Sequence, residues 1–183
     1  MNECVMDPRL ALQFRDVFSQ LNWVNLNFGD SPKKSLLARL SPRIDTSQEV
    51  VMISTPVDRG NNWLSKVEVN GETLPKASLL ITDRRFVAVT NTQIHEFPYS
   101  ELRTWQRHSA LGDLPYQIYT RNNRSLRFYI RAGGAGLFAA VVGLWDPFAR
   151  ADAIAGSRRA SSIMELMDRF MSSVLTAAQG TVL

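Results

Sequence analysis

Residues that build metal sites and disulfides are scarce in this sequence. It has one cysteine, Cys4, and two histidines, His95 and His108. A single thiol cannot close a disulfide within the chain, and so few histidines and cysteines argue against a zinc site of the usual kind. We therefore expect neither a metal nor a small-molecule cofactor. The low cysteine content fits a reducing compartment, and we expect the protein to be cytoplasmic.

Long apolar runs are also missing. The most apolar segment, residues 132–145, is too short to cross a bilayer as a helix and contains four glycines. The first residues, MNECVMDPRLAL, do not combine a basic stretch with a long apolar run, so no signal peptide is predicted. These absences predict a soluble protein and leave peripheral contact with the inner membrane surface as an open alternative.

Catalytic signatures are absent in the same way. No Gly-x-Ser-x-Gly motif occurs, and the glycines at Gly133-Gly134 lack the Lys-Ser/Thr pair that completes a phosphate-binding loop. Neither histidine stands in a recognisable catalytic context. The sequence therefore predicts a protein that is not an enzyme. An enzyme with an unrecognised site is the alternative, and it would need a cleft that holds paired polar groups.

Apolar material for one folded domain is present. Of the 183 residues, 45% are hydrophobic, so the chain can bury most of its unfolded surface without cross-links. The formal net charge is +4, which is mildly basic. This charge permits anionic partners but does not select one kind among them.

Two amphipathic helices are predicted, one toward each end of the chain. Asp7-Pro8 has the residue types of an N-cap and a first helical position, and the helix that follows is expected to end near Trp23. A second apolar stripe predicts a helix over Ser161–Ala178. Its members are Ile163, Leu166, Met167, Phe170, Met171 and Val174. Residues 145–159 are predicted to form a connection with helical fragments.

The centre of the chain has the pattern of a β-meander. Runs rich in β-branched residues predict strands, and Asn70-Gly71 is a strong hairpin signal. The expected strands are 49–57, 63–69, 78–82, 85–90, 92–97, 101–107, 116–121 and 125–131. Since several connections have only one or two residues, the strands must be antiparallel. The predicted class is α+β, mainly β: one bent antiparallel sheet of about seven strands with helices at both ends.

Two segments of this meander resemble a known family. LLITDRRFVAV, followed by IHEFPYSELRTW, resembles the bacterial pleckstrin-homology-like domains, the short PH or GRAM-like group. In that group one strand ends in Thr-Asp/Asn-x-Arg, a β-branched strand follows, and Pro-Tyr-x-x-Ile/Leu comes next. The corresponding residues are Thr82, Asp83, Arg85, Pro98, Tyr99 and Leu102, and Glu49 matches the acidic start of the family's first strand.

The resemblance covers residues 49–131 and implies a division of the chain. Residues 1–48 would be an N-terminal helical extension, 49–131 the PH-like meander, and 132–183 a C-terminal helical segment that caps or packs on the sheet. The extension and the glycine-rich apolar segment depart from a minimal domain of this kind. Either Gly133–Trp145 or Ser161–Ala178 could be the capping helix, and the cleaner period of the second favours it.

The resemblance also implies a function: an adaptor or scaffold domain that contacts proteins or membranes without a fixed ligand. A basic stretch supplies a candidate surface, because residues 103–131 contain six arginines and one acidic residue, Asp113. Arginine next to aromatic side chains can bind anions or stack on bases. The predicted partner-binding residues are Arg103, Trp105, Arg107, Arg121, Arg124, Arg127, Tyr129 and Arg131. We expect this strand face to engage an acidic protein.

Three alternatives to that surface stay open. The arginines could be a solvated face that pairs with carboxylates elsewhere in the chain. They could bind anionic membrane lipids, although classical phosphoinositide sites use basic residues on earlier strands than these. They could also bind nucleic acid, which a steep salt dependence would reveal. The apolar residues 137–148 form either core or a surface for self-association, so a homo-oligomer is a further expectation.

Overall fold

The computed structural model describes residues 4–20, 49–54, 64–75, 77–90, 92–108, 113–131 and 147–180. Within these ranges the helices are α1 (Pro8–Gln20) and α2 (Pro147–Gly180). The strands are β1 (Val51–Ser54), β2 (Leu64–Val69), β3 (Glu72–Thr73), β4 (Ser78–Thr82), β5 (Arg85–Val89), β6 (Ile94–Pro98), β7 (Leu102–Arg107), β8 (Asp113–Thr120) and β9 (Ser125–Arg131). A short 3-10 helix, Tyr99–Glu101, joins β6 to β7.

The described strands form two antiparallel sheets. Sheet A has the order β1-β4-β5-β6, and sheet B has the order β3-β2-β9-β8-β7. The mainly β, α+β class is therefore confirmed, but the single sheet of about seven strands is not what the structure has. The difference arises at two places: β2 turns back on the two-residue β3 and pairs with β9, and the chain changes sheets at Tyr99–Glu101.

Local turn chemistry accounts for the hairpins. Asn70 and Gly71, between β2 and β3, have φ angles of 51° and 85°, the left-handed values that a type I′ turn requires. Between β4 and β5 only Asp83 and Arg84 intervene, as the sequence predicts. Antiparallel pairing of β4 with β5, β5 with β6, β7 with β8 and β8 with β9 confirms the predicted meander over these strands.

Helix α1 begins where the sequence predicts. The Asp7 carboxylate accepts hydrogen bonds from the backbone N–H groups of Arg9 at 2.8 Å and Leu10 at 3.2 Å, and Pro8 occupies the first helical position. This N-cap satisfies donors that have no partner within the helix. The predicted end of the helix near Trp23 lies outside the described residues.

Helix α2 is longer than predicted. It runs for 34 residues, about 51 Å at the usual rise per residue, and includes most of the stretch predicted to be a connection. Pro147 stands at its first position, where a missing N–H costs nothing. One interior glycine, Gly156, costs only about 1 kcal/mol of helix propensity, and the neighbouring alanines favour the helix. The helix therefore continues through Gly156.

The main core lies between the two sheets and the helices. It contains fully buried rings from both sheets, Phe86, Phe97, Tyr116 and Phe128, together with the buried face of α2. That face is Met167, Phe170, Met171, Val174 and Ala178. The first four confirm positions of the predicted stripe, and Ala178 extends it. Of the two candidate capping segments, the one within α2 packs on the core, while Gly133–Trp145 lies outside the described residues.

The N-terminal segment joins the same core. Cys4, Met6, Ala11 and Phe14 are buried, and the Phe14 ring meets the Phe170 ring of α2 edge to face at a centroid distance of 5.2 Å. Part of the predicted extension 1–48 therefore packs on the sheets of its own chain. Residues 21–48 lie outside the described residues, and the domain boundaries stay a prediction.

Candidate binding surface

The residues that carry the family resemblance meet at one junction. Arg85 on β5 donates two hydrogen bonds to the Glu49 carboxylate, from Nε to Oε1 at 3.0 Å and from Nη2 to Oε2 at 2.7 Å. Its Nη1 donates to Oε2 of Glu96 on β6 at 3.0 Å. Thr82 donates its hydroxyl hydrogen to Glu49 Oε1 at 2.5 Å. The Glu49 side chain is only 4% exposed, so this ion pair is largely desolvated.

Asp83 and Tyr99 complete this junction. The Asp83 carboxylate accepts the Val50 N–H at 3.0 Å, which ties the β4-β5 turn to the start of β1. The Tyr99 hydroxyl donates to the Thr82 carbonyl oxygen at 2.5 Å, and Leu102 is buried in the core. Burial raises the pKa of Tyr99 well above its usual value. The motif residues therefore close the fold at this point and make a structural site.

The predicted arginine surface is divided between the two faces of sheet B. Leu126 and Phe128 of β9 are buried in the core, so Arg127 and Tyr129, which alternate with them, lie on the other face. Trp105 of β7, in contrast, packs against the core. The structure therefore separates Arg127 and Tyr129 from Trp105, which the sequence predicts to be on one surface.

A bulge in β7 is one reason for this division. The pairing register with β8 shifts between Leu102 and Thr104. Leu102 and Trp105 both contact the core although they are three positions apart, so the two-residue alternation does not hold across Arg103. The spacing argument that placed Arg103 with Trp105 and Arg107 depended on that alternation. A bulge of this kind has no clear signature in the local sequence.

Arg107 lies at the end of β7 and contacts α2. Its Nη1 is 2.5 Å from the Asp168 carboxylate, whose other oxygen accepts a hydrogen bond from the Tyr116 hydroxyl at 3.1 Å. Arg107 and Asp168 keep 39% and 33% of their side-chain surface exposed. The contact links α2 to sheet B at a solvent-exposed position, where an ion pair contributes about 0–1 kcal/mol to stability. Solvent reaches both charges.

The neighbouring Tyr116 phenol makes the stability of the folded protein depend on pH in the alkaline range. Burial, and then the negative charge of Asp168, raise the pKa of Tyr116 above its usual value. The folded state therefore favours the neutral phenol. Its stabilising contribution is present below pH about 10, the ordinary tyrosine pKa, and is lost as the pH rises above it. Because the pKa of Tyr99 is raised as well, both phenols contribute to the loss of stability at alkaline pH.

We expect the Tyr116→Phe variant to lose less stability than the wild type as the pH rises above about 10. In urea unfolding between neutral pH and pH about 11, the wild-type free energy of unfolding should fall by up to about 1.4 kcal/mol per pH unit for each buried tyrosine above pH about 10. The variant should be somewhat less stable at neutral pH, since it lacks the hydrogen bond to Asp168, and its curve should converge on the wild-type curve at high pH. Parallel curves would contradict the assignment.

Arg127 is paired on the outer face. Its Nη1 lies 3.8 Å from the Glu68 carboxylate, and its guanidinium carbon is 4.9 Å from the centroid of the Tyr129 ring. Lys66 forms a closer ion pair with Glu68, and its Nζ is 5.4 Å from the same ring centroid. The Glu68 carboxylate thus pairs with both cations, and the Tyr129 ring lies near both of them. These contacts fit the alternative of a solvated face with internal partners.

Arg124 is also engaged within the chain. Its guanidinium carbon lies 4.5 Å from the centroid of the Phe97 ring, so it spans the gap between the β8-β9 turn and sheet A. Burial, with a smaller effect of the Arg124 charge, lowers the pKa of His95. Arg131 ends β9 with its Cα opposite Asp113, and its side chain lies outside the described part of the structure.

Arg103 and Arg121 are different from the other arginines. Both are exposed, and they follow directly on Leu102 and Thr120, which pair across β7 and β8. The Arg121 N–H donates to the Glu101 carbonyl oxygen at 2.8 Å, which holds the turn beside the start of β7. In the part of the chain that the structure describes, neither guanidinium has a carboxylate within 4 Å. We call this pair the arginine corner.

Glu101 is the acidic residue two positions before Arg103, and its carbonyl oxygen accepts the Arg121 N–H. The Glu101 carboxylate accepts a long hydrogen bond from the Asn122 side-chain amide at 3.4 Å and no ion pair from an arginine of the described ranges. The arginine corner therefore keeps a positive balance of charge. Among the described side chains of the predicted surface, these two cations have no carboxylate partner and can meet an external anion.

An open groove lies next to the other end of β7. It has a volume of about 580 Å³, and Arg107 forms one side of it. Helix α2 forms the other side with Met164, Asp168 and Ser172. Its charges are balanced, because Arg107 faces Asp168, and Glu165 and Arg169 are neighbours one helical turn apart.

Two further features are absent from the described residues. No group of three or more His, Cys, Asp and Glu side chains that could hold a metal is found among the described residues. No helix of the described chain is long and apolar enough to cross a membrane. No model of a known protein family and no curated protein matches the chain. The similarity to pleckstrin-homology-like domains therefore stays a prediction.

The carboxylates that pair with the arginines were missed by sequence reasoning. Glu49 is 36 residues from Arg85, and Asp168 is 61 residues from Arg107. Only the acidic start of the first strand hinted at a role for Glu49. Asp168 carries no local signal, because a single aspartate next to an apolar helix stripe does not indicate which residue of another element it will contact.

Proposed function

We propose that this protein is a non-enzymatic binding module of the pleckstrin-homology-like type that engages an acidic partner protein. The observation that carries the proposal is the arginine corner, where Arg103 and Arg121 are exposed and have no carboxylate partner among the described residues. The other described arginines of the predicted surface contact Asp168, Glu68 or an aromatic ring. The docking surface is therefore smaller than the full set from Arg103 to Arg131.

The PH-like part of the proposal is supported by the junction at Glu49. Thr82, Asp83, Arg85 and Tyr99 contact one another or the two residues before β1, and Thr82, Asp83 and Tyr99 are buried. Such a closed junction provides a rigid support for the strand that follows Tyr99–Glu101. Function is assigned to the site and not to the fold, since one fold supports many functions.

The test is binding of a labelled oligoglutamate peptide, followed by fluorescence anisotropy at low salt. The double variant Arg103→Glu/Arg121→Glu should weaken binding by at least roughly tenfold without changing the melting temperature, because both residues are exposed. The matched control is Arg9→Glu/Arg15→Glu on α1, which makes the same change of net charge on another exposed surface. Its affinity should stay within about twofold of the wild type.

Two results would overturn the proposal. One is equal binding of oligoglutamate by the wild type and the arginine-corner variant, or no binding at all. The other is a preference for a different anion. Co-sedimentation with vesicles that contain acidic lipid would select a membrane surface, and a steep salt dependence with generic single-stranded DNA would select nucleic acid.

A further inference from the structure

Strand β7 is the longest edge strand in the described structure. The strands at the sheet edges are β1 and β6 in sheet A, and β3 and β7 in sheet B. β3 has two residues and β1 has four, while β6 ends in Pro98, which cannot donate a backbone hydrogen bond. β7 has six residues and no proline. An edge of this kind is a template for another extended chain.

The direction of the backbone groups on β7 follows from one hydrogen bond. The His108 N–H donates to the Pro115 carbonyl oxygen at 2.9 Å. Hydrogen-bonded positions alternate along an antiparallel pair, so Gln106, two residues earlier, also directs its backbone groups toward β8. Trp105 and Arg107 then direct their N–H and C=O groups away from β8. No described strand pairs with them on that side.

The charges around this edge favour an acidic occupant at one end. Arg103 lies at the start of β7, and Arg121 follows Thr120, whose Cα lies opposite Leu102. Neither cation has a carboxylate partner in the described ranges. At the other end the groove is charge-balanced, with Arg107 against Asp168 and Glu165 close to Arg169. Acidic side chains are thus favoured near Arg103, and the balanced charge of the groove neither favours nor opposes them.

Room for side chains is present beside the same strand. In an added strand, alternate side chains point to opposite faces of the sheet. Those on the α2 side would enter the groove of about 580 Å³ that Arg107, Met164 and Ser172 help to line. The bulge at Leu102/Thr104 limits regular pairing to 104–107, so a short segment is sufficient.

We propose that an extended acidic segment of the partner protein adds to sheet B along the outer edge of β7. Its backbone pairs with Trp105 and Arg107, and its carboxylates contact Arg103 and Arg121. The inference rests on the proposed function and adds a mode of recognition to it. Backbone pairing provides affinity, and the arginine corner fixes which end of the segment lies there.

The experiment compares two probes of equal charge on the full chain. One is oligoglutamate, and the other is oligoglutamate methylated at every backbone nitrogen, which cannot donate hydrogen bonds to a strand. Affinity is measured by anisotropy, and amide hydrogen exchange is measured by NMR at Trp105, Gln106 and Arg107. Gln106 is the internal control, because its N–H faces β8 and should exchange slowly with or without peptide.

Strand addition predicts that saturating oligoglutamate slows exchange at Trp105 and Arg107 at least tenfold, and that the methylated probe binds at least tenfold more weakly. If Arg103→Glu/Arg121→Glu weakens oligoglutamate binding while those two amides exchange unchanged, the partner docks by charge alone. That result overturns strand addition and leaves the proposed function standing. Equal affinity for the two probes also overturns it. No binding of either probe overturns both proposals.

Discussion

Arg85→Ala is expected to destabilise the fold by about 3–5 kcal/mol, because it breaks a largely buried ion pair. Arg85 donates twice to Glu49, whose side chain is only 4% exposed, and once to Glu96. Removal of the guanidinium leaves the Glu49 carboxylate buried with the Thr82 hydroxyl as its remaining identified donor. The cost is that of an uncompensated buried charge. Urea unfolding at neutral pH measures it.

A double replacement separates this explanation from a general loss of packing. Glu49→Leu/Arg85→Met removes both charges and keeps apolar volume, so it should be more stable than Arg85→Ala alone. Arg103→Ala is the matched control: it removes an exposed arginine, and its effect should stay within about 0.5 kcal/mol. If Arg85→Ala unfolds at the same urea concentration as Arg103→Ala, the ion pair does not stabilise the junction.

Phe170→Ala is expected to cost about 3–5 kcal/mol as well, through loss of a fully buried ring and the cavity left behind. The Phe170 ring lies 5.2 Å from the Phe14 ring of α1 and 6.2 Å from the Phe86 ring of β5, centroid to centroid. One side chain of α2 therefore holds the N-terminal helix and sheet A together. Thermal and urea unfolding should both show the loss.

Ser172→Ala provides the control on the same helix. Ser172 is exposed two residues further along, so its replacement should change stability by no more than about 0.5 kcal/mol. The two variants alter the same helix and differ in burial. A similar, small effect of both would mean that α2 does not pack on the core through Phe170.

The positions of most strands could be predicted from sequence because their signals are local. The predicted spans 78–82 and 125–131 match β4 and β9 residue for residue. Runs of β-branched residues and the turn residues Asn70-Gly71 and Asp83-Arg84 are read directly from neighbouring positions. The N-terminus of α1 was predictable for the same reason, since an N-cap acts within three residues.

The arrangement of the sheets could not be predicted in this way. That β2 pairs with β9, in addition to its sequence neighbour β3, depends on contacts between residues about 60 positions apart, such as Val67 opposite Phe128. The bulge in β7 had no local signal either. Since one extra residue reverses the alternation of side chains, the prediction that Arg103, Trp105 and Arg107 share a face lost its basis.

The candidate site shows the same limit. Sequence reasoning selected the basic stretch from Arg103 to Arg131 but treated its arginines as equivalent. The structure distinguishes them by their partners: Arg107 contacts Asp168, Arg127 contacts Glu68, and Arg124 lies over Phe97. Two of those partners are carboxylates on other elements, so only the folded chain reveals which charges are already used.

By itself, the sequence determined the class of the fold, the main elements and the mildly basic balance of charge. These properties depend on composition and on spacings of a few residues, where sterics, capping and apolar period act directly. The tertiary structure alone decided how the strands divide into two sheets, where α2 packs, and which arginines keep their charge available. Those outcomes depend on ion pairs and ring contacts between distant residues, and no local pattern encodes which distant residues will meet.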